Sequence, residues 1–245
     1  MFQIQPEYVK GGEYLALAEK IGANFEVLEL SFGTPAPEQA FSWYEKSGRV
    51  TSLHGAFIDL NPVSNEPGIA AESKKRFEYS CACAKRIGAK NVVFHSSCFP
   101  NLRGKYLDGW AQKFAEYLVS LSEKFGLFIF VENSFDLDPG PLKELMRRAG
   151  GKIAACLDIG HAGISRAPID EWFDALGENI KYLHLSDNSG LFDDHITLGK
   201  GKVDVKRASE LCKHLGDIPM TLEVGGIDNI RASFDYMKEN SLFGL

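Results

Sequence analysis

The sequence alternates eight times between a short apolar run rich in β-branched residues and a longer segment with helical periodicity. Strands that alternate with helices pair in parallel through right-handed crossovers, so the pattern restricts the chain to an α/β architecture. The strand-like runs are Phe2–Gln5, Phe25–Leu30, Val50–His54, Asn91–His95, Leu127–Glu132, Ile153–Asp158, Ile180–His184 and Met220–Glu223. The helix-like segments are Gly12–Ile21, Glu38–Ser47, Ile69–Ile87, Lys105–Phe125, Pro141–Ala149, Ile169–Gly177, Val205–Leu215 and Asn229–Lys238.

Eight strand–helix units favour a closed barrel over the alternative, an open doubly wound sheet. No glycine-rich nucleotide fingerprint follows the first strand-like run, which argues against the open sheet. No linker or low-complexity stretch divides the 245 residues, a length that suits one barrel. We therefore predict a single (β/α)8 TIM barrel domain over residues 1–245. Glycines that suit left-handed caps end several helix-like segments: Gly22, Gly48, Gly88, Gly126 and Gly216.

Charge and cysteine content narrow the partners and the compartment. The formal net charge of −6 argues against a nucleic-acid partner, because such binding neutralises phosphates with Lys and Arg. A local basic rim would not be visible in this total. No signal-peptide pattern and no apolar run of bilayer length is visible, so we expect no membrane contact. An odd number of cysteines without a CxxC pair predicts reduced, buried thiols in a cytoplasmic protein. These cysteines are Cys81, Cys83, Cys98, Cys156 and Cys212.

Ionisable residues end six consecutive strand-like runs. In order they are His54, His95, Glu132, Asp158, His184 and Glu223. In a closed parallel barrel these positions converge on one mouth, where such barrels place their active sites. One such residue alone is more often a loop cap, but three imidazoles and three carboxylates together would bury charge without a counter-ion. A divalent cation supplies that charge, and imidazole with carboxylate suits Zn, Mn, Co or Fe, whereas Mg prefers oxygen ligands.

Two loops bring further candidates to the same mouth. His161 follows Asp158 by three residues, so a loop residue can fold back beside the strand-end carboxylate. Asp193 and His195 are two apart, and in an extended loop their side chains face the same side. A solvated acidic turn and a surface histidine are the simpler interpretations of this last pair. Glu29, which ends the second run, is interpreted as structural or as a neighbour of the ligands.

Taken together, these motifs resemble the xylose-isomerase-like TIM barrels, which include sugar isomerases, sugar epimerases and the endonuclease IV group. The resemblance covers nearly the whole chain. It rests on the stretch from His54 to Asn61, Val-Phe-His95, Val-Glu132-Asn133, Leu-Asp158-Ile-Gly-His161, His184-Leu-Ser-Asp187, Asp193-Asp-His195 with Gly199-x-Gly201, and Leu-Glu223. The fold that the resemblance implies is again a TIM barrel.

By this resemblance the sugar enzymes' metal site corresponds to Glu132, Asp158, His184 and Glu223. The nine-ligand, three-zinc site of the endonuclease group is also filled. His54 and His95 would join Glu132 at one metal, and His161, Asp193 and His195 would hold another. The implied cofactor is a divalent metal, with Zn or Mn favoured and Co or Mg as alternatives.

The chain also departs from both patterns. The ketose epimerases carry an Arg after strand seven, whereas none lies between His184 and Gly201 here. The nucleases place Tyr where this chain has Phe57, and they need long basic loops, whereas the connections after strands two and three are short. The basic residues expected near the mouth are interpreted as a solvated face: Arg103, Lys105, Lys200 and Lys202.

Three functional hypotheses follow. The favoured one is a metal-dependent isomerase or epimerase of a small sugar or sugar phosphate, acting through an enediolate, with Glu132 and Glu223 as the proton-transferring pair and His161 orienting a hydroxyl. The second is multi-metal hydrolysis of a phosphodiester, as in abasic-site nucleases. The third is a metal-bearing barrel that binds a sugar without turnover. A homodimer is compatible with the sequence, because dimers are common among related barrels, but the sequence identifies no interface.

Overall fold

Eight parallel strands close into a barrel in which each strand pairs with its sequence neighbours and β8 pairs with β1. This computed structural model describes residues 1–29 and 38–245. The strands are β1 Phe2–Ile4, β2 Asn24–Leu28, β3 Val50–His54, β4 Asn91–His95, β5 Phe128–Glu132, β6 Ala154–Asp158, β7 Ile180–Leu185 and β8 Met220–Leu222. The predicted TIM barrel is confirmed. The predicted end of the second run, Leu30, lies outside the described residues, as does most of the connection that follows it.

Helices pack around the outside of the strands. They are α1 Gly11–Ile21, α2 Glu38–Ser47, α3 Pro67–Arg86, α4 Lys105–Phe125, α5 Gly140–Ala149, α6 Ile159–Ile164, α7 Ile169–Leu176, α8 Val205–Cys212 and α9 Ile227–Glu239. The five predicted capping glycines all have positive φ, between 62° and 81°. The prediction of a loop after β6 is wrong, because α6 begins directly at the strand end. Among the described residues, no helix has the length and apolar character that a membrane span requires.

The barrel interior forms a small core distinct from the larger one between strands and helices. Its apolar members are Val93, Phe130, Ala154, Cys156 and Tyr182, all buried. Because side chains alternate along a strand, the residue two positions further on points into the same interior. Four residues at the mouth follow this rule, because each lies two positions after a residue of the interior core. The pairs are Val93 and His95, Phe130 and Glu132, Cys156 and Asp158, and Tyr182 and His184.

The cysteines are free thiols, as predicted. Four of them are buried, and Cys212 is only half-buried at the end of α8.

Candidate metal centre

The six strand-end residues meet at the C-terminal mouth of the barrel, and their ligand atoms form compact groups. In each group the nitrogen and oxygen atoms lie within 4.8 Å of one another. Group A is His54, His95 and Glu132; group B is Glu132, Asp158, His184 and Glu223; group C is His161, Asp193 and His195. A further set that meets the same distance limit is His54, His184 and Glu223. The structure thus brings all nine predicted ligands together.

Glu132 lies at the centre of the arrangement. Its Oε2 is 3.1 Å from Nε2 of His54 and 3.4 Å from Nε2 of His95. Its Oε1 is 3.1 Å from Nδ1 of His184 and 3.3 Å from Nδ1 of His161. One carboxylate therefore faces four imidazoles with both oxygens, which have lone pairs for more than one partner each.

The start of α6 brings Asp158 and His161 together. Oδ1 of Asp158 accepts the backbone N–H of His161 at 2.7 Å, so the aspartate caps the helix that begins after it. The amide of Asn133 fixes the strand end, because it donates to the Asp158 carbonyl at 3.0 Å and accepts the Asp158 N–H at 2.8 Å. Nδ1 of His161 lies 2.6 Å from the carbonyl of Asn133, which directs Nε2 of that ring toward the mouth.

Group C joins α6 to the long connection after β7. Nε2 of His161 lies 3.1 Å from Oδ2 of Asp193, and Nε2 of His195 lies 3.0 Å from Oδ1 of the same residue. Nδ1 of His195 lies 2.8 Å from the carbonyl of Glu223, so both rings are held by backbone oxygens. The prediction of an extended loop is wrong here, because His195 has a φ of 47°. The turn, rather than alternation, brings the two side chains together.

Asp187 holds the connection after β7 in place. It was identified in the sequence as part of a motif, but this role was not predicted. Its fully buried carboxylate accepts the backbone N–H groups of Gly199 and Gly201 at 2.9 Å and of Val203 at 3.0 Å. An antiparallel bridge between Asp187 and Ile196 closes the loop. These bonds fix the segment that carries group C.

A second residue missed in the sequence, Glu26, lies inside the barrel beneath the mouth. It is fully buried, and its carboxylate lies 3.1 Å from Nε2 of His184. Gln5 joins it to the centre by donating to Glu26 at 3.1 Å and to Glu223 at 2.8 Å. The sequence signal was an acid inside an otherwise apolar run, between Phe25 and Val27.

The charges in the centre fit bound cations. Oδ2 of Asp158 and Oε2 of Glu223 are buried and make no hydrogen bond; the latter lies 2.8 Å from Nδ1 of His184 without hydrogen-bond geometry. Burial raises the pKa of Asp158 to about 6, as expected for a carboxyl group short of positive charge. Buried oxygens without donors, beside imidazoles, are the ligand set that Zn or Mn accepts.

Without a cation, protons on the imidazoles balance the carboxylates. Burial lowers the pKa of His184, but Cys156, Glu26, Glu132 and Glu223 raise it more, so the pKa lies well above its ordinary value. The opposite shift holds for Glu132: burial raises the pKa of its carboxyl, yet the surrounding imidazoles bring it well below the usual range.

The same balance holds at the outer rim of the centre. Burial lowers the pKa of His195, but the carboxylates of Asp193, Glu223 and Asp158 raise it by more, so the pKa reaches about 10. The pKa of His161 is also raised well above its ordinary value, because burial is outweighed chiefly by Asp158 and Asp193. Cations that bind these groups must therefore displace protons.

A cavity of about 450 Å³ opens above the centre. It is bordered by residues of all three groups: His54, His95, His161, Asp193, His195 and Glu223. Glu132 is fully buried beneath them and does not line it. Its lining also includes Tyr8, Val9 and Leu28. Within the described part of the chain no Lys or Arg lines the cavity, and residues 30–37 contain neither type in their sequence. The predicted basic residues are exposed, consistent with a solvated face: Arg103, Lys105, Lys200 and Lys202.

Two neighbours of the centre are structural. Glu29 pairs with Arg76, accepts the hydroxyl of Ser80 and accepts the backbone N–H of Ala56, as expected for a structural residue. The ring of Phe57 stacks on that of His95 with centroids 4.4 Å apart.

Solved structures of similar fold include metal-soaked, epimerase-like and nuclease proteins. The TTHB071 protein from Thermus thermophilus, soaked with ZnCl2, is 24% identical with a TM-score of 0.82 over 97% of this chain and 96% of that one. A D-tagatose 3-epimerase-like protein is 20% identical, with a TM-score of 0.75 and coverage of 97% and 96%. Endonuclease IV from Thermus thermophilus is 18% identical, with a TM-score of 0.69 and coverage of 97% and 99%. These likenesses establish the fold.

Sequence comparison gives the family. The uncharacterized protein MJ1614 of Methanocaldococcus jannaschii is 29% identical over 195 residues, which are 77% of this chain and 76% of that protein. The profile of the family described as xylose isomerase-like TIM barrel matches residues 15–240. That span includes all eight strands except β1 and all nine residues of the three groups. The chain therefore belongs to the xylose isomerase-like TIM barrel family.

Proposed function

We propose that the chain is a metal-dependent hydrolase that cleaves a small phosphoester at a multinuclear centre. The observation that carries the proposal is the position of Glu132, whose Oε2 faces the two imidazoles of group A at 3.1 and 3.4 Å and whose Oε1 faces the imidazole of group B at 3.1 Å. A single-metal site does not need a carboxylate shared in this way. Group C faces the same cavity and would complete a three-ion centre.

The residues of groups A, B and C would each hold one divalent ion, with Glu132 shared between the first two. Ions held there would polarise a phosphoryl oxygen and lower the pKa of a water molecule. Zn or Mn suits these imidazole and carboxylate donors, with Co or Mg as alternatives.

Charge balance links the number of ions to the charge of the substrate. The groups contain four carboxylates, Glu132, Asp158, Asp193 and Glu223. With neutral imidazoles, three divalent ions leave a net charge of 6 − 4 = +2, which favours an anionic substrate. One divalent ion leaves 2 − 4 = −2 from metal and carboxylates alone, and protons on the imidazoles of the empty groups offset part of that charge. Because no Lys or Arg of the described residues lines the cavity, ions bound in the centre would supply most of the positive charge that faces a phosphoester.

The chain's own residues divide the remaining work. Glu223 belongs to group B and lines the cavity, so it is the candidate acceptor of a proton from the attacking water. Glu132 is enclosed by four imidazoles and orients them instead. His161 and Asp193 would position the substrate at the outer side. A cavity of about 450 Å³ suits a small molecule.

A metal-dependent isomerase or epimerase of a small sugar is the second candidate. Group B is complete by itself, and the apolar wall of Tyr8, Val9 and Leu28 suits the uncharged face of a sugar. This reaction would need one ion, with Glu223 moving the proton. It does not need group C.

Group C supplies the deciding experiment. Metal content is measured first, followed by hydrolysis of bis-p-nitrophenyl phosphate and of an abasic-site oligonucleotide, and by deuterium exchange from D2O into a panel of ketoses. The hydrolase proposal predicts three ions per chain and phosphodiester cleavage that Asp193→Asn and Glu223→Gln each abolish. Asp194→Asn is the matched control, because this neighbouring exposed aspartate belongs to none of the groups. One ion per chain, with deuterium exchange that survives Asp193→Asn but not Glu223→Gln, would replace the proposal with the isomerase.

A further inference from the structure

Glu26 occupies a position that barrel packing alone does not explain. It lies in the middle of β2, fully buried in the interior. Tyr182 donates its hydroxyl to Oε2 at 2.5 Å, and Gln5 donates to Oε1 at 3.1 Å. The third neighbour is His184, whose Nε2 lies 3.1 Å from Oε1. Burying a carboxylate is costly, and an apolar side chain would fill the same space more cheaply.

These contacts select the tautomer of His184. A carboxylate offers acceptors and no donor, so the imidazole presents a hydrogen on Nε2 to Glu26. In the metal-free protein Nδ1 also faces carboxylates and holds a hydrogen. When an ion displaces that hydrogen, Glu26 keeps the other one on Nε2, and the lone pair of the neutral ring lies on Nδ1. That atom lies 3.1 Å from Oε1 of Glu132 and 2.8 Å from Oε2 of Glu223, at the heart of group B. A metal-binding nitrogen needs a free lone pair, and Glu26 provides it at the correct atom.

Gln5 extends the influence of Glu26 to a second member of group B. Its Nε2 donates to Oε1 of Glu26 at 3.1 Å and to Oε1 of Glu223 at 2.8 Å. The bond to Glu223 occupies one oxygen and leaves Oε2 directed at His184 without a donor. One buried carboxylate therefore orients an imidazole directly and a carboxylate through an amide.

We infer that Glu26 is a positioning residue of the metal centre, which holds His184 with Nδ1 free and, through Gln5, fixes Glu223. Partners that accept a hydrogen from the far nitrogen of a ligating imidazole are common around protein metals, and their loss weakens binding about 10- to 100-fold. The inference depends on the metal-binding part of the proposed function and on neither of its reactions.

The test compares Glu26→Gln with Glu29→Gln. Both residues are buried carboxylates on or directly after β2. Glu29 contacts Arg76, Ser80 and Ala56, and it belongs to none of groups A, B and C. Zinc affinity is measured by competition with a chromophoric chelator, alongside the visible spectrum of the cobalt-loaded protein. We expect Glu26→Gln to lower the affinity of one site about 10- to 100-fold and to alter the cobalt spectrum. Glu29→Gln should leave both readouts near those of the wild type.

A measurement on the unmodified protein covers the case in which Glu26→Gln does not fold. Long-range ¹H–¹⁵N spectra of the zinc-loaded protein report which ring nitrogen of each histidine carries hydrogen. We expect His184 to carry it on Nε2. Hydrogen on Nδ1, or zinc affinity that is equal in wild type and Glu26→Gln, overturns the inference. A wild type that binds no zinc refutes the proposed function itself, so the two failures are distinguishable.

Discussion

The backbone amide of Gly201 donates to Oδ2 of Asp187 at 2.9 Å, and the same carboxylate fills the space that a side chain at position 201 would need. A Cβ placed on Gly201 would lie 2.2 Å from Oδ1 of Asp187 and 2.2 Å from the carbonyl oxygen of Asn188. The requirement for glycine is therefore a matter of space. It ties the Gly199-x-Gly201 motif to the shape of the loop that carries Asp193 and His195.

Replacing Gly201 with alanine should dismantle group C selectively. The added methyl group must displace Asp187 or the backbone of Asn188, at a cost of about 1–3 kcal/mol, and the loop shifts as a consequence. We expect Gly201→Ala to bind one metal ion fewer than the wild type, with groups A and B retained. Metal content by mass spectrometry after gel filtration measures the effect.

Gly109→Ala is the matched control for that change. Gly109 lies within α4, and a Cβ there would meet no atom within 4 Å. Alanine should raise the free energy of unfolding by up to about 1 kcal/mol, because it favours the helix. Its metal content should equal that of the wild type. Full metal content in Gly201→Ala would contradict the link between Asp187 and group C.

Periodicity and position were enough to predict the barrel and the residues at its mouth. Strand ends such as His54, Glu132 and Asp158 follow buried apolar runs, and the parallel barrel then brings them together without further information. The helix α6 could not be predicted in this way, because its six residues are too short to establish a helical period. The cap from Asp158 to His161 defines it instead.

The residues that were missed act through partners distant in sequence. Glu26 and His184 are 158 positions apart, and no local pattern pairs them. Asp187 was visible as part of a motif, but its role arises from amides 12 to 16 residues further on. The conformation of His195 was mispredicted for a related reason: its ring contacts Asp193 and the carbonyl of Glu223, and the second of these lies 28 residues further on.

Glu29→Gln should destabilise the fold without affecting the centre. Glu29 is 5% exposed, and the substitution removes the negative charge that pairs with the guanidinium of Arg76. Losing one member of a buried ion pair costs about 3–5 kcal/mol. Urea unfolding should show a loss of that size. The control Glu72→Gln breaks the exposed pair with Lys75 and should change stability by less than about 1 kcal/mol. Equal losses in both variants would contradict the structural role of Glu29.

Asp158→Asn should have opposite effects on the metal-free and metal-bound protein. The pKa of Asp158 is raised to about 6 by burial, so at pH 8 its negative charge destabilises the metal-free fold. Asparagine removes that charge and can still cap α6. We expect the metal-free variant to melt at or above the wild-type temperature at pH 8, and the zinc-loaded variant to melt below it. A lower melting temperature in the metal-free state as well would contradict the destabilising effect assigned to the buried charge of Asp158.

The metal-free protein should lose stability as the pH rises from about 6.5 to 10. The pKa of His195 is raised from 6.5 to about 10 by Asp193, Glu223 and Asp158, against the effect of burial. A group whose pKa is raised on folding contributes fully below its unfolded value, and the contribution disappears as the pH passes the folded one. His161 and His184 shift in the same direction.

Zinc should reverse this trend, because it competes with the same protons. The affinity of the protein for zinc should rise as the pH increases from about 6.5 to 10. Binding near pH 7 should release protons, which calorimetry in buffers of different ionisation enthalpy detects.

His195→Gln should reduce the dependence of the melting temperature of the metal-free protein on pH. Substitution of the exposed His214, outside the three groups, should leave that dependence unchanged. Zinc binding without proton release would show that the imidazoles are already neutral, and the charge balance assigned to the metal-free centre would then be wrong.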